Sequence, residues 1–185
     1  MLFRSPLTAR WLLTHWQNRM VRGVTHFSAG YSLSLIVLMH ALFFFPALPL
    51  PEKIHPLKPL TGWPQAAQHA ATLRAHMAAE YPSAVLFVPN WALASRLAWY
   101  ARPLSVQVTD DRPDQYDLWF GAPAVGANGV LVAPAGALKA TRRVLKRFDS
   151  CQEQDSLPVY RGDLLLTNFH FYLCRGYRGA ADGGA

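Results

Sequence analysis

From Gly23 to Pro51 the chain carries no Asp, Glu, Lys or Arg. The middle of that run, Tyr31-Ser-Leu-Ser-Leu-Ile-Val-Leu-Met-His-Ala-Leu-Phe-Phe-Phe45, is too apolar for a helix solvated on every side. At about 1.5 Å per residue, residues 24–46 are long enough to cross a hydrocarbon core of about 30 Å, which predicts one transmembrane helix there. Pro46 and Pro49 end it, because neither can donate the next backbone hydrogen bond. A cleaved signal peptide is disfavoured: the basic region ahead is long and itself apolar, and no small-x-small cleavage site follows the run.

Charge then orients the run. Arg4, Arg10, Arg19 and Arg22 precede it, whereas all 11 Asp and Glu residues lie beyond Pro51. The positive-inside rule puts residues 1–23 in the cytoplasm and everything after the span on the other side of the membrane. Trp11, Leu12 and Trp16 fall on one helical face near Arg10 and Arg19, as suits a segment lying among lipid headgroups; the tail of an earlier membrane helix is the alternative. The net charge of +7 thus reflects topology as much as any partner. A nucleic-acid partner is not expected, since no basic stripe with interleaved stacking residues is evident.

Residues 47–61 read as a proline-stiffened linker and residues 62–178 as the exported domain. Within it, Trp63, Ala66, Ala67, Ala70, Leu73 and Met77 recur at helical spacing to about Glu80. Residues 84–88 and 129–133 are short continuous apolar runs, as expected of strands buried on both faces. Asn90 is the N-cap of a helix over 91–101 whose Trp91, Ala94, Leu97 and Ala98 line one side. A strand is predicted over 105–109, an irregular stretch over 110–128 with a helix or turn near 114–119, and a basic helix over 134–148. Strands over 148–154, 157–161 and 168–174 follow, antiparallel at one edge, and the Gly/Ala-rich residues 179–185 form a disordered tail. The fold class is α/β: one N-terminal transmembrane helix, then a small three-layer extracytoplasmic α/β domain.

Catalytic signatures are missing: there is no G-x-S-x-G, H-E-x-x-H, Walker loop or G-x-G-x-x-G, and no cofactor is implied. Asp110, Asp111, Asp114 and Asp117 offer oxygen ligands but lack the spacing of a cation loop, so turn chemistry explains them better than a metal. The basic helix, with Lys139, Arg142, Arg143, Lys146 and Arg147, could approach lipid phosphates or a phosphorylated carrier, although a solvated face is the simpler account. Gln115, Tyr116, Asp117 and Trp119 mix stacking surfaces with hydrogen-bonding groups and are the candidate binding or docking residues, although aromatic side chains folding into a loop core are the simpler account. Cys151 and Cys174 both lie in the exported part, where an oxidising compartment permits a disulfide; free thiols remain the alternative.

Four motifs occur in order: Thr61-Gly-Trp63, Ala94-Ser-Arg-Leu-Ala-Trp-Tyr100, Gln115-Tyr-Asp-Leu-Trp119 and Phe171-Tyr-Leu-Cys-Arg-Gly-Tyr-Arg-Gly179. Over residues 25–179 they resemble the C-terminal end of bacterial polytopic glycosyltransferases of the protein-mannosyltransferase superfamily, which includes lipid A aminoarabinose transferases. The resemblance implies a polyprenyl-phosphate-linked sugar as donor and a polytopic half as partner. Catalytic acids of that family lie in its first extracytoplasmic loop, and this chain has no Asp or Glu before Glu52. No catalytic residue carries over. The chain reads first as a C-terminal fragment or split subunit that is inactive alone. A free-standing membrane-anchored binding or scaffold module comes second, and an independent enzyme third. The orientation is tested by fusing alkaline phosphatase after Gly179: the reporter should be active there and β-galactosidase inactive, and the opposite pattern would reverse the topology.

Overall fold

The structure, a computed structural model, describes residues 4–44, 58–110 and 115–179, with the backbone alone at residues 4–7, 42 and 43. Two compact units divide near Pro49. Most of the linker predicted over 47–61, the tail beyond Gly179, and Asp111 and Asp114 of the acidic cluster lie outside the described residues.

The N-terminal unit holds α1 (Arg4–Thr14) and α2 (Arg19–Phe44). Asn18 ends the turn between them, its Oδ1 accepting from Met20 N at 2.9 Å. Trp16 therefore sits in the turn and packs against His26 of α2 (ring centroids 5.8 Å apart), not on a common face with Trp11. Among the described residues no helix is long and apolar enough to cross a membrane. α2 starts at Arg19, and Thr25, His26, Ser28, Tyr31, Ser32, Ser34 and His40 lie among its apolar residues. The span predicted over 24–46 also takes in Phe45 and Pro46, outside the described residues, and the undescribed side chains of Leu42 and Phe43. Thr25, Ser34 and His40 each turn back onto their own helix, bonding Val21 O, Gly30 O and Ile36 O. Leu35, Ile36, Val37, Leu38 and Met39 are each at least 42 % exposed, more than one full turn of apolar surface.

The second unit is a five-stranded mixed sheet in the order β2-β1-β3-β5-β4. α3 (Trp63–Ala78) precedes β1 (Val85–Val88), and α4 (Trp91–Tyr100) leads to β2 (Val106–Val108). α5 (Gln115–Phe120) precedes β3 (Gly129–Pro134), and α6 (Leu138–Leu145) leads to the hairpin β4 (Phe148–Arg161) and β5 (Leu164–Tyr177). β1 pairs parallel with β2 and β3, and β5 runs antiparallel to β3 and β4.

Strand alternation assigns the faces. Leu86, Val88, Val130, Val132 and Phe171 turn toward α3 and α4, whose Ala66, Ala67, Ala70, Ala94 and Leu97 are almost fully buried. Phe87, Leu131, Tyr172 and Cys174 turn the other way, against Val144 of α6 and Phe148. Each fully buried side chain of this size contributes about 1.5–3 kcal/mol. The three-layer α/β architecture follows from this two-sided burial.

Three expectations change. The strands predicted over 148–154 and 157–161 are one strand, β4, with a register shift between Glu153 and Asp155 that absorbs the break in pattern. Pro134 ends β3 opposite Phe169, and a tight turn at Ala135–Ala137 intervenes, so α6 starts only at Leu138. Trp91 does not line the buried side of α4; it is 59 % exposed. Cys151 and Cys174 stand opposite each other across β4 and β5, their Cα atoms 4.1 Å apart, and are disulfide-bonded. At a sequence separation of 23, the chain-entropy model puts the bond's stabilisation at about 3 kcal/mol.

Gly129 sits where the neighbouring strand's backbone leaves no room for a side chain. A Cβ there would run into the Val85 carbonyl oxygen and come within 2.8 Å of the Phe87 ring, at the start of the β1–β3 pairing. Gly129→Ala should cost about 1–3 kcal/mol or more in urea denaturation. An unchanged midpoint would show that β1 and β3 do not approach so closely.

Candidate functional site

α5 carries the residues singled out from sequence. Tyr116 is half-buried against the core, with Trp119 and Phe120 packed on it at centroid distances of 5.8 and 5.6 Å. Gln115, Tyr116 and Trp119 border a groove of about 420 Å³ with Trp91 and Ser95 of α4; Asp117 does not line it. An adjoining groove of about 370 Å³ shares Ser95, Tyr116 and Trp119 and adds Trp99, Arg102 and Phe120. Arg102 stacks over the Trp99 ring at 4.7 Å, which holds a cation at the rim of this surface. Trp91, Trp99, Tyr100, Leu118, Trp119 and Phe120 are all exposed, and Leu118 reaches 83 %. Among the described residues they make up most of the large exposed apolar side chains of this unit. Sequence reasoning found the α5 half of this face. It missed the α4 half because one-sided helical periodicity cannot tell core from an apolar outer surface.

A second site was only half read. The chain leaving β1 enters α4 on one face of the sheet, and the chain leaving β3 enters α6 on the other. In an open α/β sheet, a crevice forms outside the carboxyl ends of strands where connections part in this way. Here it is a cavity of about 800 Å³. Its basic groups are Lys58, Arg96 of α4, and Lys139 and Arg143 of α6. Trp63, Leu93, Leu138 and Phe169 supply apolar wall.

Local chemistry positions each wall. Asn90 has extended backbone, and its Oδ1 accepts from Leu93 N at 3.1 Å, so α4 begins at the lip of the crevice. Arg96 Nη1 and Trp63 Nε1 both donate to Pro59 O, at 2.8 and 2.9 Å, and the Arg96 guanidinium lies 5.9 Å from the Trp63 ring centroid. Arg147 donates to Thr109 O at 2.7 Å. It joins Asn90, Asp110 and Arg143 around a smaller adjoining cavity of about 310 Å³. The basic residues of α6 therefore divide. Lys139 and Arg143, one turn apart, face the crevice, whereas Arg142 acts on Tyr172. Burial and the nearby Glu153 carboxylate push the Tyr172 hydroxyl above its ordinary range, and Arg142 opposes that shift.

The described lining of the larger cavity is basic, which suits an anion. Among the described residues lining the larger cavity there is no carboxylate, and among those lining the smaller one Asp110 is the only carboxylate. Glu80, Asp149 and Glu153 are engaged elsewhere, with Arg175, Arg178 and His170. Among the described residues no three His, Cys, Asp or Glu side chains are grouped to hold a metal ion. No family model matches this chain, and no curated protein or solved structure is found to be similar to it. Asn90→Ala should cost about 1 kcal/mol in chemical denaturation, and Asn90→Asp should restore most of it. Equal losses in both variants would show that the side-chain cap does not hold α4.

Proposed function

We propose that the chain is the membrane-anchored C-terminal portion of a carrier-lipid glycosyltransferase, not catalytic by itself and completed by a polytopic half. The observation that carries this reading is α2, whose Leu35–Met39 stretch exposes apolar side chains on every side. Such a helix is unfavourable in water and needs cover from lipid or from other helices. The back-bonded hydroxyls of Thr25 and Ser34 and the ring of His40 favour that setting, since polar groups in lipid must find partners within the protein. Arginines ahead of the run and acids after it support a cytoplasmic N-terminus and a periplasmic α/β unit in the inner membrane. The Cys151–Cys174 bond fits an oxidising compartment.

In this reading the exposed aromatic face of α4 and α5 docks on the polytopic half. Trp and Tyr beside Arg is the composition that concentrates binding energy at protein interfaces. Gln115, Tyr116 and Trp119 act there in docking, and Asp117 in folding or docking, not in bond breaking. The second reading, a free-standing membrane-anchored binding module, is favoured by the basic crevice at the carboxyl ends of β1 and β3.

The purified chain in detergent, given labelled polyprenyl-phosphate sugars and acceptors, should show no turnover alone and should gain it with a co-expressed polytopic half. Trp119→Ala should weaken co-purification with that half by about tenfold or more. Turnover by the chain alone, abolished by Asp117→Asn without loss of folding, would overturn the reading.

A further inference from the structure

We propose that the crevice at the carboxyl ends of β1 and β3 binds a phosphate group, in a phosphate ester whose organic remainder is apolar. The charge balance comes first. Of the 17 described residues lining the cavity, four are cationic and none is acidic. Other cations of the same unit have carboxylate partners, as in Arg175 with Glu80 at 3.4 Å and Arg178 with Asp149 at 2.7 Å. Lys139 and Arg143 make no hydrogen bond or ion pair among the described residues. Gathering Arg96, Lys139 and Arg143 in a concave site raises the local potential and opposes folding, and a bound anion reverses both effects.

The geometry then selects the anion. Arg96 is already oriented by Pro59 O and the Trp63 ring, and its guanidinium has further N–H donors beyond the Nη1 bond it makes. It faces the cavity from α4, while Lys139 and Arg143 reach it from α6. An acceptor met by three cations from two elements needs several oxygens and more than one charge. A phosphate monoester supplies three strong acceptor oxygens and a charge of about −1.5 to −2 at neutral pH.

Pro134, Ala135, Gly136 and Ala137 form the rim after β3, and their small side chains leave the backbone approachable; a Cβ on Gly136 would meet nothing within 4 Å. A volume of about 800 Å³ is far more than a bare phosphate fills and falls within the roughly 300–1,000 Å³ of organic-ligand sites. The wall beyond the cations is apolar, through Leu93, Leu138 and Phe169, so the remainder of the ligand is apolar too.

This site does not depend on the docking reading, and its test does not involve sugar transfer. The full chain in a non-ionic detergent would be titrated calorimetrically with inorganic phosphate, inorganic pyrophosphate and farnesyl phosphate. Saturable one-to-one binding is expected for farnesyl phosphate, and binding of an inorganic anion alone would overturn the apolar remainder. Farnesyl phosphate alone would point to a lipid headgroup, and pyrophosphate or phosphate as well would point to a water-soluble ester. Arg143→Gln and Lys139→Gln should each weaken that binding by about tenfold or more, through loss of a charge-assisted hydrogen bond. Lys146→Gln, on the same basic stretch but outside the cavity lining, should change it less than about twofold. Thermal melts would establish that each variant is folded, and Lys139→Gln, at an exposed position, serves should Arg143→Gln not fold. No saturable binding by the folded chain, or an equal loss in Lys146→Gln, would overturn the proposal.

Discussion

Burial of β1 and β3 on both faces is the constraint on which the α/β unit depends. Leu86 and Val88 point to one side and Phe87 to the other, and Val130, Leu131 and Val132 repeat the alternation; all are almost fully buried. A parallel pair of this kind is stable only when helices cover both faces. The chain meets that need by sending the segment after β1 to one side and the segment after β3 to the other. The crevice where they part is thus a by-product of core formation. What is not a by-product is its lining, which concentrates basic groups at a place where packing alone would accept neutral ones.

The hairpin β4–β5 completes the sheet and separates the charges. β5 is largely buried and pairs with β3, whereas β4 is exposed along most of its length. Its Asp149, Glu153 and Asp155 collect carboxylates at the far edge of the sheet, where Arg178 and His170 engage two of them. The disulfide ties the edge strand to its neighbour, which matters for a strand with one open side. With acids gathered on β4, the crevice cations of α6 have no carboxylate partner among the described residues.

Much of this unit was legible from local patterns. The runs at 84–88 and 129–133 announced buried strands because nothing polar interrupts them, and Asn90 announced the start of α4 because its side chain can satisfy a backbone N–H that the helix cannot. The long β4 was not legible as one strand, since a register shift at Glu153 and Asp155 scrambles the alternation that marks a strand. Trp91 misled for a different reason: a large aromatic at core spacing looks the same whether it meets the sheet or an outer groove. In the N-terminal unit, absence of charge marked out the run, but the start of α2 at Arg19 depends on Asn18, whose capping role the charge pattern does not reveal.

The sequence by itself determined the order of strands and helices, the basic-then-apolar N-terminal pattern, the α/β class and the two cysteines available for pairing. Those features are local or compositional, and periodicities of two and 3.6 residues record them directly. Only the tertiary structure decided that Cys151 faces Cys174, that α4 and α5 share one aromatic surface, and that Arg96 meets Lys139 and Arg143 around one cavity. The physical reason is that each such meeting joins elements distant in the chain. Which elements become neighbours is settled by the strand order β2-β1-β3-β5-β4 and by the face each helix covers. Periodicity tells which side of a helix is apolar, and it carries no information about what stands opposite.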